Sequence, residues 1–168
     1  MWSQVESERM KHNTHYDAIP PQHLIGTILD VGCGDGSNQA KSRNYMALTS
    51  NRYTGIDIEE DIFKYQPDTQ FDTVLAIHVI EHIPLSRWPL MFRILKTWVK
   101  PGGRLIIGVP YMQSPDVYKN FKGPENQRHV VFGIDEDMIT YYLGRTESIR
   151  YRGPYSESLM CIWKEVKK

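Results

Sequence analysis

The sequence predicts an α/β fold built on a doubly wound, mostly parallel sheet, and three stretches carry that expectation. The first is Ile28-Leu29-Asp30-Val31, a short apolar strand that runs straight into Gly32-Cys33-Gly34-Asp35-Gly36 and then into helix-like sequence. The second is Thr73 to Ile77 and the third Arg104 to Val109, continuous apolar runs of the kind that both faces of a parallel sheet bury. Between them Trp88, Met91, Phe92, Leu95, Trp98 and Val99 recur at helical spacing over Leu85 to Trp98, which gives a crossover helix with one buried face.

Bulk properties narrow the reading. A chain of 168 residues is one domain long and can bury a sizeable core, but leaves little for a separate substrate domain. We expect an N-terminal arm or short helix over residues 1–25, a possible lid, and a single domain over 26–168. Lys plus Arg number 20 and Asp plus Glu number 20, so no basic surplus disposes the chain toward a phosphate backbone. Two cysteines, Cys33 and Cys161, are too few for a disulfide framework and fit a reducing compartment. No run approaches the ~20 apolar residues of a membrane span, and the N-terminus lacks a basic segment followed by an apolar one, so a cytoplasmic setting is expected.

Taken in order, Ser3 with Glu6 has the spacing of a capping box for a short N-terminal helix. His12, His15 and Tyr16 follow, either as a cover over a ligand mouth or as a solvated arm, and Pro20-Pro21 ends any helix there. The glycine turn is a nucleotide-type cradle, yet its third glycine falls one residue early for a dinucleotide fingerprint. Asp30, two residues before the first glycine, would repel a pyrophosphate and suit an ammonium group. No Lys-Ser/Thr pair follows, which excludes a P-loop. Ser37 can cap a helix to about Leu48 whose free N–H groups would face the ligand. The next strand, Tyr53 to Ile58, carries Asp57 about 20 residues past the glycines, where an acid can accept hydrogen bonds from a ribose diol. Ile58 would offer an apolar surface to a base.

These residues resemble the class I S-adenosylmethionine (SAM)-dependent methyltransferases. Leu29 to Gly36 is similar to their motif I, Tyr53 to Ile58 to their motif II, and Phe71 to Ile83 and Leu95 to Pro110 to later blocks, all in the family's order. The likeness extends to the type 11 and type 23 groups, whose post-motif segment reads like His78-Val-Ile-Glu81-His82. It implies a Rossmann-like sheet closed by an antiparallel hairpin, here Glu147 to Tyr151 and Leu159 to Val166. It also implies SAM as cofactor, S-adenosylhomocysteine as product and no metal. Cofactor contacts fall on Asp30, Val31, Gly32, Cys33, Gly34, Gly36, Asp57, Ile58, Ile77 and His78, while Glu81 and His82 border the departing methyl group.

The chain departs from the family between Asp57 and Phe71. Residues 58–70 are too few for a crossover helix of ~10–12 residues plus a third strand, so that strand is expected to be shortened or missing. Asp61 or Asp68 could replace the adenine-binding acid that the strand would carry. His78-Val-Ile-Glu81-His82 also matches an inverted zinc-peptidase motif, but it begins at a strand end with Pro84 close behind, so its histidines are poorly placed to share a helical face. Lys100-Pro-Gly-Gly reads as a turn. From Pro110 to Gly133 runs a long aperiodic stretch, and Arg128-His129 before Phe132 and a helix from Asp135 to Leu143 resembles a family segment. His129 is there a candidate base facing the substrate, or a histidine satisfied within its loop.

Three functions compete. The first is methyl transfer to a small-molecule acceptor, with Glu81, His82 or His129 as base. The second, nucleic-acid methylation, lacks its Asn/Asp-Pro-Pro-aromatic motif, since Ile77-His-Val-Ile stands in that place. The third is SAM binding without turnover, motivated by the short interval after Asp57.

Overall fold

A computed structural model describes residues 12–57 and 62–166, the side chain of Asn126 excepted. The helix expected around Ser3 and Glu6, together with Ile58 and Asp61, lies outside the described residues. Six strands form one sheet: β1 (Ile28–Val31), β2 (Tyr53–Ile56), β3 (Phe71–Ile77), β4 (Val99–Pro110), β5 (Glu147–Arg152) and β6 (Glu157–Lys164), in the order β2-β1-β3-β4-β6-β5. β1 pairs in parallel with β2 and β3, and β3 with β4, whereas β6 lies antiparallel between β4 and β5. The doubly wound sheet and its closing hairpin are therefore present. Among the described residues nothing pairs with the outer side of β2, so the third strand of the family's pattern is missing.

Alternation along the parallel strands feeds two cores. Leu29, Val31, Val74, Ala76, Leu105 and Ile107 pack on one face against α3 (Trp88–Thr97) and α4 (Glu136–Leu143). Ile28, Leu75, Ile77, Ile106, Met160 and Ile162 pack on the other against Tyr16, Ile19, Leu24 and Leu48. Burial on both sides is why these strands read as unbroken apolar runs. The segment after residue 12 is thus structural: Ile19 is fully buried, and Asn44 Nδ2 donates to the carbonyls of Tyr16 and Ile19 at 2.8 and 2.9 Å.

Several elements differ from expectation. The helix expected from Ser37 to Leu48 is two pieces, α1 (Ser37–Lys41) and α2 (Tyr45–Leu48). Asp17 from the arm causes the break: its Oδ1 accepts from Ser42 Oγ at 3.0 Å and Arg43 N at 2.8 Å, holding those residues out of the helix. Lys100-Pro-Gly-Gly lies inside β4 as a bulge, because Phe71 pairs with Val99 while Thr73 pairs with Arg104. The crossover helix starts at Trp88, after a 3-10 turn at Leu85–Arg87. Among the described residues no helix is long and apolar enough to cross a membrane.

Candidate active site

The glycine turn leaves β1 with Gly32, Gly34 and Gly36 at φ of 71°, 59° and 79°, a region that penalises any Cβ. Gly32 N and Cys33 N donate to Ile56 O at 2.7 and 3.1 Å, tying the turn to the end of β2. A Cβ at Gly32 would stand 2.4 Å from Val79 Cγ2, so this glycine lets the tip of β3 pack against the turn. A Cβ at Gly34 or Gly36 would meet nothing within 4 Å, so their backbone borders open space. Ser37 does not cap α1. Its N–H donates to Asp35 Oδ1 at 2.9 Å, and Gly36 holds the capping position of a helix only one turn long.

Two acids stand at the ends of the neighbouring strands, one enclosed and one open. Asp30 is fully buried: its Oδ2 accepts from Tyr16 Oη at 2.9 Å, Gln39 Nε2 at 2.9 Å and Tyr53 Oη at 2.7 Å, while Oδ1 has no hydrogen-bond partner. Burial pushes this carboxyl up to about 6, against the three bonds that hold it down. The open carboxylate expected at this position is therefore roofed by two tyrosines and a glutamine. Asp57 is exposed directly after β2, whose last residue, Ile56, pairs with Val31. Cys33 lies between them, its Sγ over Gly55, where a Cβ would come within 2.7 Å. Burial raises its thiol, and the charges of Asp30 and Asp57 add to the rise. Val31 and Ile77 are core residues at 2% and 5% exposure, so they shape the floor and present no open face.

At the tip of β3 the chain turns sharply. His78 has φ of 56°, a strained value for a residue with a Cβ, and its ring stacks on His15 with centroids 3.6 Å apart. Its Nδ1 lies 3.1 Å from Glu81 Oε1 and its Nε2 3.4 Å from Ser158 Oγ. Burial, then His82, pulls it down to about 3. Residues 80–82 form a single 3-10 turn after the strand tip and no helix carries His78 and His82 on one face, so the zinc-peptidase geometry does not form.

Glu81 and His82 instead meet His129. Glu81 is fully buried, both its carboxylate oxygens lack hydrogen-bond partners, and burial pushes it up to about 7. Its backbone carbonyl accepts from Val130 N at 2.8 Å and Val131 N at 3.1 Å, which fastens the long loop over the strand tip. His129 Nε2 thereby lies 3.8 Å from Glu81 Oε1, while its Nδ1 pairs with Gln113 Oε1. His82 Nδ1 lies 3.1 Å from Arg128 O. The short Glu81–His129 distance suggests a charged pair, but the acid is raised and His129 is lowered to about 4, chiefly by burial. Desolvation dominates both shifts, so burial favours the neutral form of each partner. Tyr118 and Phe132 close around His129 at 5.3 and 6.4 Å between ring centroids.

Sequence reasoning missed Tyr16, Gln39 and Tyr53 as partners of Asp30, His15 as the stacking partner of His78, and Gln113 as the partner of His129. Tyr53 was findable, since it shares a strand face with Gly55, the partner of Asp30. The other four meet their partners only through tertiary packing.

These residues fit a sulfonium nucleoside. Gly34 and Gly36 offer backbone beside open space and Asp57 an exposed acid for a diol, while Asp30 Oδ1 is an orphaned buried acceptor that an ammonium would satisfy once the cover of Tyr16, Gln39 and Tyr53 shifts. The comparisons with known proteins agree. A family model described as a methyltransferase domain matches residues 1–144. Phosphoethanolamine N-methyltransferase 1 of Arabidopsis thaliana is 29% identical over 52% of this chain and 21% of its own, so the chain spans about a fifth of that relative. Among solved structures, the N-methyltransferase NodS of Bradyrhizobium japonicum WM9 with S-adenosyl-l-homocysteine superposes at TM-score 0.61 and 14% identity, over 86% of this chain and 83% of that one. A SAM-dependent methyltransferase of Archaeoglobus fulgidus does so at 0.60 and 18%, over 86% and 89%. With the glycine turn, the strand order and a family match over most of its length, the chain belongs to the methyltransferase-domain family of class I SAM-dependent enzymes.

Proposed function

We propose that the protein moves the methyl group of SAM to an oxygen, nitrogen or carbon nucleophile of a small-molecule acceptor by in-line displacement. One observation carries this reading: Val79 locks the open glycine cradle against the strand tip that bears Glu81, His82 and, through the loop, His129. This packing supports a donor site and a proton acceptor on adjacent strand ends. SAM, when bound, supplies an already activated methyl group, so the chain's tasks are alignment, exclusion of water and handling of a proton.

Gly34, Gly36, Asp57 and Asp30 would hold the cofactor, and His78 would border it. Holding two reactants in line can supply ~7–11 kcal/mol of the barrier, which leaves the base a secondary role. For a hydroxyl or protonated amine, His129 or His82 would accept the proton with Glu81 behind them, worth about 10²–10⁴-fold. His129 suits this role because Gln113 engages its Nδ1 and leaves Nε2 toward the cluster. The arm bearing His15 and Tyr16, with Tyr118 and Phe132, would keep water out. The name of the Arabidopsis relative also points to a small acceptor. The free thiols of Cys33 and Cys161 suit a reducing, cytoplasmic setting.

Calorimetry with SAM and S-adenosylhomocysteine tests the first half, and transfer of labelled methyl across a panel of small hydroxyl, amine and carbon acids tests the second. Absence of heat at millimolar ligand defeats the cofactor assignment. Binding without transfer to any acceptor would turn the reading to a SAM-binding protein.

A further inference from the structure

The geometry points to a binding site for a divalent ion of the zinc class, formed by Glu81, His82 and His129. One ligating atom from each residue lies within 4.8 Å of the others. Proximity alone would mean little, but two independent features aim at a cation.

The first is Glu81 itself. It is fully buried, Oε1 meets only the ring nitrogens of His78 and His129 at 3.1 and 3.8 Å with no aligned hydrogen bond, and Oε2 has no partner; a buried carboxylate so poorly satisfied normally costs several kcal/mol and is either neutralised or coordinated. The second is how the two imidazoles are held. Arg128 O can only accept, so His82 Nδ1 carries the proton there and Nε2 keeps its lone pair. Gln113 Oε1 imposes the same tautomer on His129, whose Nε2 faces Glu81 Oε1 at 3.8 Å. Outer acceptors on one ring nitrogen, leaving the other to the ion, are the usual support of metal-binding histidines. A carboxylate and two imidazole lone pairs then converge; His78 Nδ1 also stands 3.1 Å from Glu81 Oε1 but makes no aligned hydrogen bond to it, and Oε2 is left without a partner among the described residues.

Two histidines and one carboxylate match a zinc-type centre with a position left open, and imidazole favours Zn²⁺ or Co²⁺ over Mg²⁺. Bonds of about 2.1 Å place ligand atoms about 3.4 Å apart, so the cluster must contract on binding. His82 and His129 are only partly buried, so side-chain rotation can supply that contraction while the backbone bonds of Val130 and Val131 to Glu81 O hold the loop in place. The sequence offers no metal spacing because His129 comes from a different loop. With the ion bound both Nε2 lone pairs are occupied, so the ion would replace the histidines as the group that activates an acceptor hydroxyl, taking its oxygen at the open position and lowering its pKa. The inference rests on the proposed function only for that last role; the site itself stands on the cluster.

The test uses the full chain without an affinity tag, stripped with chelator and titrated with CoCl2 by absorbance and with ZnCl2 by calorimetry, with MgCl2 as comparison. We expect one equivalent of Co²⁺ or Zn²⁺ to bind with a tetrahedral or five-coordinate cobalt spectrum, and Mg²⁺ to give no heat. His82→Asn and His129→Asn should each abolish the saturable equivalent. Gln113→Ala should weaken it about 10–100-fold, because it removes the acceptor that orients His129. SAM binding by each variant reports that the fold and the cradle survive, so loss of the ion site and failure of the cofactor reading are read separately. Stoichiometric binding that persists in the His82→Asn/His129→Asn double variant, which leaves His12, His15, His23 and His78 in place, overturns the assignment. So does the absence of binding by a wild-type chain that still binds SAM, which would mean that a shared proton fills the cluster.

Discussion

Replacing Asp30 by Asn should make the protein more stable at neutral pH and a poorer binder of SAM. The wild-type carboxyl moves from 3.8 when unfolded to about 6 when folded, because full burial outweighs the bonds from Gln39, Tyr53 and Tyr16. At about 1.4 kcal/mol per pH unit, that difference corresponds to about 3 kcal/mol, a large share of the ~5–15 kcal/mol of a typical domain. The sign follows from proton binding. Between the two values the folded state holds a proton that the unfolded chain has released, so stability falls as pH rises. The contribution of the protonated form is complete below 3.8 and is lost as pH passes through about 6. Asn keeps an oxygen for the three donors and never ionises. The difference in unfolding free energy, variant minus wild type, should therefore grow by about 3 kcal/mol between about pH 3 and pH 8 and then level off. Any fixed cost of burying the amide shifts this curve without changing its shape. Urea unfolding at half-unit pH steps measures it. A difference that is flat with pH, or that shrinks as pH rises, refutes the reasoning. The companion measurement is SAM affinity, which should fall by about 1–3 kcal/mol if Oδ1 takes the ammonium.

The exposed acid is the simpler case: Asp57→Ala should weaken SAM binding by about 1–3 kcal/mol in calorimetry with little effect on unfolding, and unchanged affinity would remove its role at the ribose. Gly34→Ala and Gly32→Ala separate cradle from scaffold. Both add a Cβ at positive φ, costing about 1–2 kcal/mol, but at Gly32 it also overlaps Val79 Cγ2 at 2.4 Å, so denaturant unfolding should show the larger loss there. Gly34→Ala should instead stay folded and lose SAM affinity; equal stability losses would contradict this division. Lys100 Nζ bonds Asp72 Oδ2 at 2.8 Å and holds that acid down to about 2. Both side chains are partly exposed, so Asp72→Asn should cost no more than about 1 kcal/mol. That cost is present above 3.8 and vanishes as pH falls through about 2.

The parts of the site that local chemistry dictates were legible. Three closely spaced glycines have one use at a strand end, and the distance from them to Asp57 follows from one crossover and one strand. Apolar runs announced β3 and the later half of β4 because both faces are covered. What depends on a distant partner was not legible. The helix after Gly36 reads as continuous to Leu48, and only Asp17, from a segment with no periodicity, breaks it at Ser42. Lys100-Pro-Gly-Gly has turn chemistry, and the strand continues through it only because Phe71 N reaches Trp98 O at 2.7 Å ahead of the bulge. Likewise Glu81 and His82 were candidates from the start, but their meeting with His129 depends on two backbone bonds from Val130 and Val131.

The buried acids of the described residues divide by how they are satisfied. Asp17 is 6% exposed, yet both its oxygens are bonded, Oδ2 by Asn13 N and Thr14 N and Oδ1 by Ser42 Oγ and Arg43 N. Burial raises its carboxyl, but the N–H groups of Arg43 and Thr14 and the Ser42 hydroxyl outweigh it and leave it lowered. Such an acid is mortar: it ties the arm to α1 and needs nothing more. Asp30 and Glu81 are more deeply buried, each keeps at least one oxygen unbonded, and both are raised. A fold has no structural reason to enclose an acid that it then leaves unsatisfied, since an apolar residue of similar size would be more stable there. Both sit at the carboxyl ends of neighbouring parallel strands, β1 and β3, where open sheets of this kind bind ligands. That asymmetry with Asp17 marks Asp30 and Glu81 as the two acids that a ligand would have to satisfy, which is what the proposed function asks of them, Asp30 on the side of the positively charged donor and Glu81 on the side of the acceptor.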